Sequence, residues 1–150
     1  MNLRATNDPS VLALIDKHPR LFSTDSIFWS HVSVGWVGIV DRLLGDIDKL
    51  LTDEEAQKLE IKQIKEKFGL LRFYSSYPDD GDTEDEDEAR EPTRADVIRA
   101  TILILVRAAE AKSKVTCEAC GQPGVLRETK WRSVKCDQHA DSAEPEPKSA

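Results

Sequence analysis

All three cysteines of the chain fall within twenty residues, as Cys117-Glu118-Ala119-Cys120-Gly121 and Cys136-Asp137-Gln138-His139. No other feature constrains the fold as strongly. Two residues between ligands let one turn direct both side chains at a single ion, and a following glycine lets the backbone curl beneath the sulfurs. Fifteen residues separate the pairs, which matches a known zinc-site spacing with histidine in place of the last cysteine. Cys117, Cys120, Cys136 and His139 are therefore expected to hold Zn²⁺ tetrahedrally. Four protein ligands leave no open position for water, so the ion is expected to be structural, not catalytic. A redox role for CxxC needs a thioredoxin-like βαβ setting, which the sequence lacks. Between the pairs, Gly121-Gln122-Pro123-Gly124 reads as a turn and residues 125–128 and 131–135 as short alternating strands. Residues 115–140 thus form a zinc ribbon or treble-clef-like element, with Trp131 expected to pack against it.

Upstream, the patterning is mostly helical. A short helix begins at Asp8-Pro9-Ser10, runs through Val11, Leu12, Leu14 and Ile15, and stops at His18-Pro19. Over about 34–51, Trp36, Val40, Leu43, Leu44, Ile47, Leu50 and Leu51 recur every three or four residues, opposite Asp41, Arg42, Asp46, Asp48 and Lys49. Such an amphipathic helix needs a partner surface to be stable. A third helix starts at the side-chain cap Thr93-Arg94-Ala95-Asp96 and continues to Ser113. Residues 101–106 also fit a buried strand, but length and the Ala108-Ala109-Glu110-Ala111 continuation favour helix. Its apolar residues cover most of the circumference, so it is expected to be the central, enclosed helix.

Residues 59–76 are rich in β-formers, with Phe68-Gly69 at the middle, and read as an antiparallel hairpin. A turn at Phe68-Gly69 pairs Lys67 with Leu70, Glu66 with Leu71, Lys65 with Arg72 and Ile64 with Phe73. Ile64, Leu71 and Phe73 then share one face, and Gln63, Lys65, Arg72 and Tyr74 the other. Two cations directly opposite each other destabilise a hairpin by up to ~1 kcal/mol unless an anion lies between them. That anion is either an acid of the chain, such as Glu110 or the tract at 79–91, or a ligand phosphate or acidic protein surface. Glu66, Arg72 and Glu110 are read as a polar constellation beneath the central helix, for which a buried ion pair that fixes the hairpin is the commoner explanation and catalysis the alternative.

The net charge of -7 is local in origin. Residues 79–91 carry nine acids and one arginine, contributing -8, and the tail 141–150 contributes -2, so the rest of the chain carries +3. Self-repelling runs resist folding, so 78–92 reads as a flexible acidic loop and 141–150 as a disordered tail. Imitation of a nucleic-acid backbone is the sharper alternative for the loop. The apolar set makes up 39% of the chain, below the usual ~45–50%, and the longest mostly apolar runs, 32–40 and 100–106, fall short of the ~18 residues of a membrane span. No apolar segment follows Met1-Asn2-Leu3-Arg4, so no secretory signal is read and a cytoplasmic address is expected.

Several of these segments together resemble a known pattern: Gly35-Trp36 opening a helix, Ile64-Lys65-Glu66-Lys67-Phe68-Gly69 followed by Leu71-Arg72-Phe73-Tyr74, Ala109-Glu110 before Ser113, and the Cys117, Cys120, Gly121, Gly124, Trp131, Cys136 and His139 series. Over roughly 33–140, without the acidic loop, the chain is similar to a widespread group of small uncharacterised bacterial and phage proteins. The resemblance implies one integrated domain with the zinc element packed on the helices, and it brings no activity with it.

The expected architecture is α+β: two or three helices packed with a β-hairpin plus the zinc element, as a single domain over 1–140. No histidine pair, P-loop, dinucleotide-binding glycine run or deaminase HxE is present, so the chain is read as a non-catalytic module. The expected partner is a protein, as for a phage or prophage-type inhibitor or regulator. The alternative is a nucleic-acid-binding zinc-ribbon regulator, with Lys130, Trp131, Arg132 and Lys135 of the zinc hairpin as its basic face. Candidate partner- or anion-binding residues are Lys65, Arg72, Tyr74, Lys130, Trp131 and Arg132.

Overall fold

The computed structural model describes residues 8–22, 30–79, 91–128 and 131–140. Its elements are α1 (Pro9–Lys17), α2 (Val37–Leu50), α3 (Asp53–Lys58), β1 (Glu60–Lys67), β2 (Leu70–Ser76), α4 (Arg94–Ser113), β3 (Val125–Glu128) and β4 (Arg132–Lys135), with 3₁₀ turns at Pro19–Phe22 and Val34–Trp36. The class is α+β, with two separate two-stranded antiparallel sheets.

Local chemistry sets most boundaries. Asp8 accepts the Ser10 N–H and caps α1, Pro9 occupies the first helical position, and His18 ends the helix. The buried face of α2, Val40, Leu43, Leu44 and Ile47, contributes roughly 2 kcal/mol of hydrophobic stabilisation per side chain. Its C-terminal carbonyls are held by Arg20, which donates to the Asp48 and Leu51 oxygens at 2.7 and 3.0 Å and to the Asp48 carboxylate at 2.9 Å. A cation at that end also meets the negative pole of the helix. The short helix α3 went unread in the sequence although its signal is there. Thr52 and Glu55 form a reciprocal capping box, and the Glu55 carboxylate receives Arg94 from the start of α4 at 2.9 and 3.1 Å. Arg94 also donates to the Leu50 carbonyl at 2.7 Å, so three helix ends meet at one guanidinium.

The β1–β2 register is the one read from the sequence, with Lys67↔Leu70, Glu66↔Leu71, Lys65↔Arg72 and Ile64↔Phe73. Phe68 and Gly69 lie at φ 56° and 77°, the left-handed conformations that a two-residue hairpin turn requires. Ile64, Leu71 and Phe73 are buried. Each edge is engaged at one position: Ile64 N–H donates to Ser30 Oγ at 3.0 Å on one side, and Leu71 N–H donates to Ser113 Oγ at 3.1 Å on the other.

Two expectations are corrected. First, α4 is not enclosed. It buries Ile98, Ile102, Val106 and Ala109 against α2 and β2, while Val97, Leu103 and Ile104 are 43, 48 and 68% exposed. The described chain flanks this helix on two sides only, so its third side meets solvent. Second, no ion pair joins Arg72 to Glu66 or Glu110 among the described residues. Glu66 instead accepts the Gly69 N–H at 2.6 Å, and the Arg72 Nε is buried without an acceptor. Residues 80–90 of the acidic loop and the tail 141–150 lie outside the described residues. Asp79, at the edge of the loop, pairs with Arg99 at 2.7 Å.

Candidate metal centre

The first ligand pair sits in a tight turn following α4. Cys117 N–H donates to the Gln122 carbonyl at 2.7 Å and Gly121 N–H to the Cys117 carbonyl at 2.9 Å, closing a loop in which Gly121 takes φ 80°. A side chain at 121 would strain that conformation. Strands β3 and β4 pair antiparallel, from Val125↔Lys135 to Glu128↔Arg132, and return the chain to the knuckle. There Cys136 and His139 stand on a second turn, closed by His139 N–H on the Cys136 carbonyl at 3.1 Å.

The four side chains converge. Their ligand atoms all lie within 4.8 Å of one another, with Cys120 Sγ 3.7 Å from Cys136 Sγ, and His139 Nδ1 3.8 Å from Cys117 Sγ and 3.1 Å from Cys136 Sγ. Zn–S bonds of about 2.3 Å and a Zn–N bond of about 2.0 Å, set tetrahedrally, imply S···S near 3.8 Å and S···N near 3.5 Å. The cluster fits that shell. The sulfurs are too far apart for a disulfide, whose S–S bond is about 2.05 Å, and all three cysteines are free. Burial alone would push the Cys117 thiol up. Hydrogen bonds from the Cys136, Ala119 and Cys120 backbone outweigh it and hold the thiol at about 6. Cys120 goes the other way. A Gln122 N–H favours its thiolate, but desolvation and the adjoining sulfurs of Cys117 and Cys136 raise it. Sulfurs that compete for ionisation in this way suit a shared divalent cation, which favours every thiolate at once.

The knuckle is pressed against the start of α2. Gly35 N–H donates to the Glu118 carbonyl at 2.7 Å, and a Cβ at Gly35 would stand 2.0 Å from the Cys117 carbonyl oxygen. Beside it the fully buried Trp36 donates its indole N–H to the Thr116 carbonyl at 2.8 Å. The Gly-Trp pair is thus the joint between the helical core and the metal cluster. Glu118 locks the other side, accepting the Val134 N–H on its carboxylate at 2.6 Å while its own N–H donates to the Val134 carbonyl at 2.9 Å. Burial raises the Glu118 pKa above the usual range, and Glu66 nearby adds to the shift.

Lys65, Arg72 and Tyr74 share the outward side of the β1–β2 hairpin, as the register requires. Arg132 and Trp131 are at the β3–β4 end, and the Gly69 turn abuts Leu126 and Arg132. Trp131 is 56% exposed, more open than a residue packed on its hairpin. Lys130 lies outside the described residues. Two histidine–carboxylate pairs have no signature in the sequence, His31 Nδ1 with Asp8 at 2.6 Å and His18 Nε2 with Asp41 at 2.7 Å. Each partner is more than twenty residues away in sequence, and nothing local signals it. Both pairs have structural work: Asp8 also accepts the Val32 N–H at 2.8 Å, and Asp41 also receives Lys17 at 2.6 Å.

Among the described residues no helix is long and apolar enough to cross a membrane. No family model, curated protein or solved structure matches the chain.

Proposed function

We propose that this chain is a non-catalytic module, stabilised by structural zinc, that acts by occupying the surface of a protein partner, as an inhibitor or regulator of the phage or prophage type does. The observation that carries the reading is the outward side of α4. There Val97 and Ile104, two turns apart, form an exposed apolar ridge on a twenty-residue helix, with Leu103 exposed about 100° further round the axis on the β2 side. It is flanked by a groove of about 720 Å³ toward α2, lined by Ile39, Leu105 and Ala108, and one of about 460 Å³ toward β2, lined by Phe73, Ile102 and Val106. Apolar ridges of this kind are a common signature of protein–protein contact. Zinc is favoured because three thiolates and an imidazole in tetrahedral array suit that borderline-soft ion. A shell closed by four protein ligands supports a structural role, since no position is left for substrate or water.

Two measurements test the reading. Metal analysis of the purified chain should find one zinc per molecule; a chain that takes up no zinc would remove the structural premise. Affinity capture from source cells after nuclease treatment should retain a stoichiometric protein with the natural chain and lose it with Ile104→Lys, whose thermal midpoint stays unchanged because the side chain is two-thirds exposed. Recovery of nucleic acid alone would overturn the protein-partner reading.

A further inference from the structure

The outward side of the β1–β2 hairpin is not used by the core. Alternation places Gln63, Lys65 and Lys67 of β1 and Leu70, Arg72 and Tyr74 of β2 on it. Between Gln63 and Tyr74 this side carries three cations and no acid; Glu60 lies at the far open end, opposite Ser76. Lys65 stands directly across from Arg72, and Lys65 and Lys67 are about 7 Å apart along the strand. Among the described residues no carboxylate pairs with any of the three.

Two features of this surface work against folding. The Arg72 Nε is buried with no acceptor, and a buried donor left unsatisfied destabilises the fold. Phe68 holds a left-handed conformation, φ 56°, with its ring 71% exposed. Asn or Gly serves that turn position at lower cost, and a bulky residue there is an outlier that points toward use. The rings on this side are also placed with cations: Lys65 Nζ lies 5.7 Å from the Tyr74 ring centre, and Lys67 Nζ 5.7 Å from that of Phe68.

We infer that this face binds single-stranded nucleic acid, its phosphates received by Lys65, Lys67 and Arg72 and its bases stacked on Tyr74 and Phe68. Unpaired cations interleaved with exposed aromatic rings are what a flexible polyanion with planar bases requires. An acidic peptide would neutralise the cations but leave both rings unused. The inference rests on the reading of the chain as a non-catalytic binding module and adds a second surface, which adjoins the α4 ridge where Tyr74 and Leu103 line the same groove.

The test is fluorescence anisotropy of the full chain, purified with zinc, against a labelled oligothymidylate of about 15 nucleotides, between 50 and 200 mM salt. Three phosphate contacts predict that log K falls with log salt at a slope near -2, from about -0.7 per contact. Arg72→Gln should make the slope shallower by roughly 0.7. Phe68→Asn is the decisive variant. It relieves the left-handed strain, so its thermal midpoint should rise while binding weakens about tenfold or more, a combination that misfolding does not produce. Ile104→Lys should bind the oligonucleotide like the natural chain, so failure of the α4 reading and failure of this one are separable. The inference is overturned by absence of saturable binding at 50 mM salt, by variants that bind unchanged, by a duplex of equal length that binds as tightly, or by an acidic peptide that binds more tightly than the oligonucleotide.

Discussion

The joint between the helical core and the metal cluster makes a sharp demand on Gly35. An alanine Cβ there would lie 2.0 Å from the Cys117 carbonyl oxygen, 2.7 Å from the Glu118 carbonyl carbon and 2.7 Å from the Gly121 nitrogen. All three are backbone atoms of the turn that carries two ligands, so no side chain can rotate out of the way. Normal contact begins near 3.5 Å, and the turn would have to retreat by roughly 1 Å or more. Overpacking of this kind costs about 1–3 kcal/mol, and loss of the 2.7 Å hydrogen bond from Gly35 N–H to the Glu118 carbonyl adds about 0.5–1.5. Gly35→Ala should therefore destabilise the zinc-loaded chain by about 2–4 kcal/mol, a fall of roughly 5–15 °C in the thermal midpoint. Gly38, three residues on, is the internal control. A Cβ there meets nothing within 4 Å, and Gly38→Ala inside α2 should stabilise by about 0.5–1 kcal/mol. Denaturant titrations of both variants, with zinc and with chelator, read out the contrast. Chelation should shrink the Gly35→Ala penalty, because a turn freed of the metal can move aside. A Gly35→Ala protein within about 0.5 kcal/mol of the natural chain, or a penalty that chelation leaves intact, would refute the joint.

Other perturbations follow from the same contacts. Cys136→Ser should reduce bound zinc and loosen the C-terminal half, seen as lost metal content and faster amide exchange over 115–140; unchanged metal and stability would break the four-ligand assignment. The Glu55 carboxyl is held down to about 2, against an ordinary 4.5, first by the Arg94 guanidinium and then by the Thr52 N–H. Its stabilisation is complete above about pH 4.5 and is lost as pH falls through about 2, so Glu55→Gln should flatten the stability profile in that window; an identical acid profile for the two proteins would refute the assignment. Replacing residues 80–90 by a Gly/Ser linker of equal length should leave the thermal midpoint within about 2 °C, and a collapse would show that the tract belongs to the folded unit.

Legibility in the sequence followed the range of the interaction. The metal cluster was readable because its ligands come as two short turns whose spacing is fixed by tetrahedral geometry. The hairpin register was readable because Phe68-Gly69 sets the turn, and the period-two pattern of Ile64, Leu71 and Phe73 does the rest. What could not be read was the tertiary accounting. Whether the apolar circumference of α4 is enclosed depends on how many elements flank it, and no local pattern carries that number. The expected Glu66–Arg72–Glu110 ion pair did not form because the register puts Glu66, opposite Leu71, and Arg72, opposite Lys65, on different faces of the hairpin, and the Glu66 carboxylate takes the Gly69 N–H at 2.6 Å. Gly35-Trp36 stands in the sequence as a bare pattern; its physical reason is a contact with residues 116–121, some eighty positions away.

An acidic protein that binds a polyanion needs its charges separated in space. Residues 79–91 hold a charge of -8, and the tract begins at Asp79, paired with Arg99 on α4, beyond the Ser76 end of β2. Lys67 and Leu70, at the other end of the hairpin, lie six strand residues away from Ser76, about 20 Å at 3.4 Å per residue. The screening length is about 8 Å at 0.15 M salt and about 30 Å at 0.01 M. At physiological salt Lys67 at the hairpin tip is thus more than two screening lengths from the Ser76 end, and Lys65 and Arg72, about 14 Å from it, nearly two, whereas at 10 mM all three lie within one screening length of that end. If the tract acts only through its field, the Gly/Ser replacement of 80–90 should strengthen oligonucleotide binding several-fold at 10 mM salt and leave it within about twofold at 150 mM. A gain that persists undiminished at 150 mM would mean that the acids reach the cations of the hairpin and compete for them by contact.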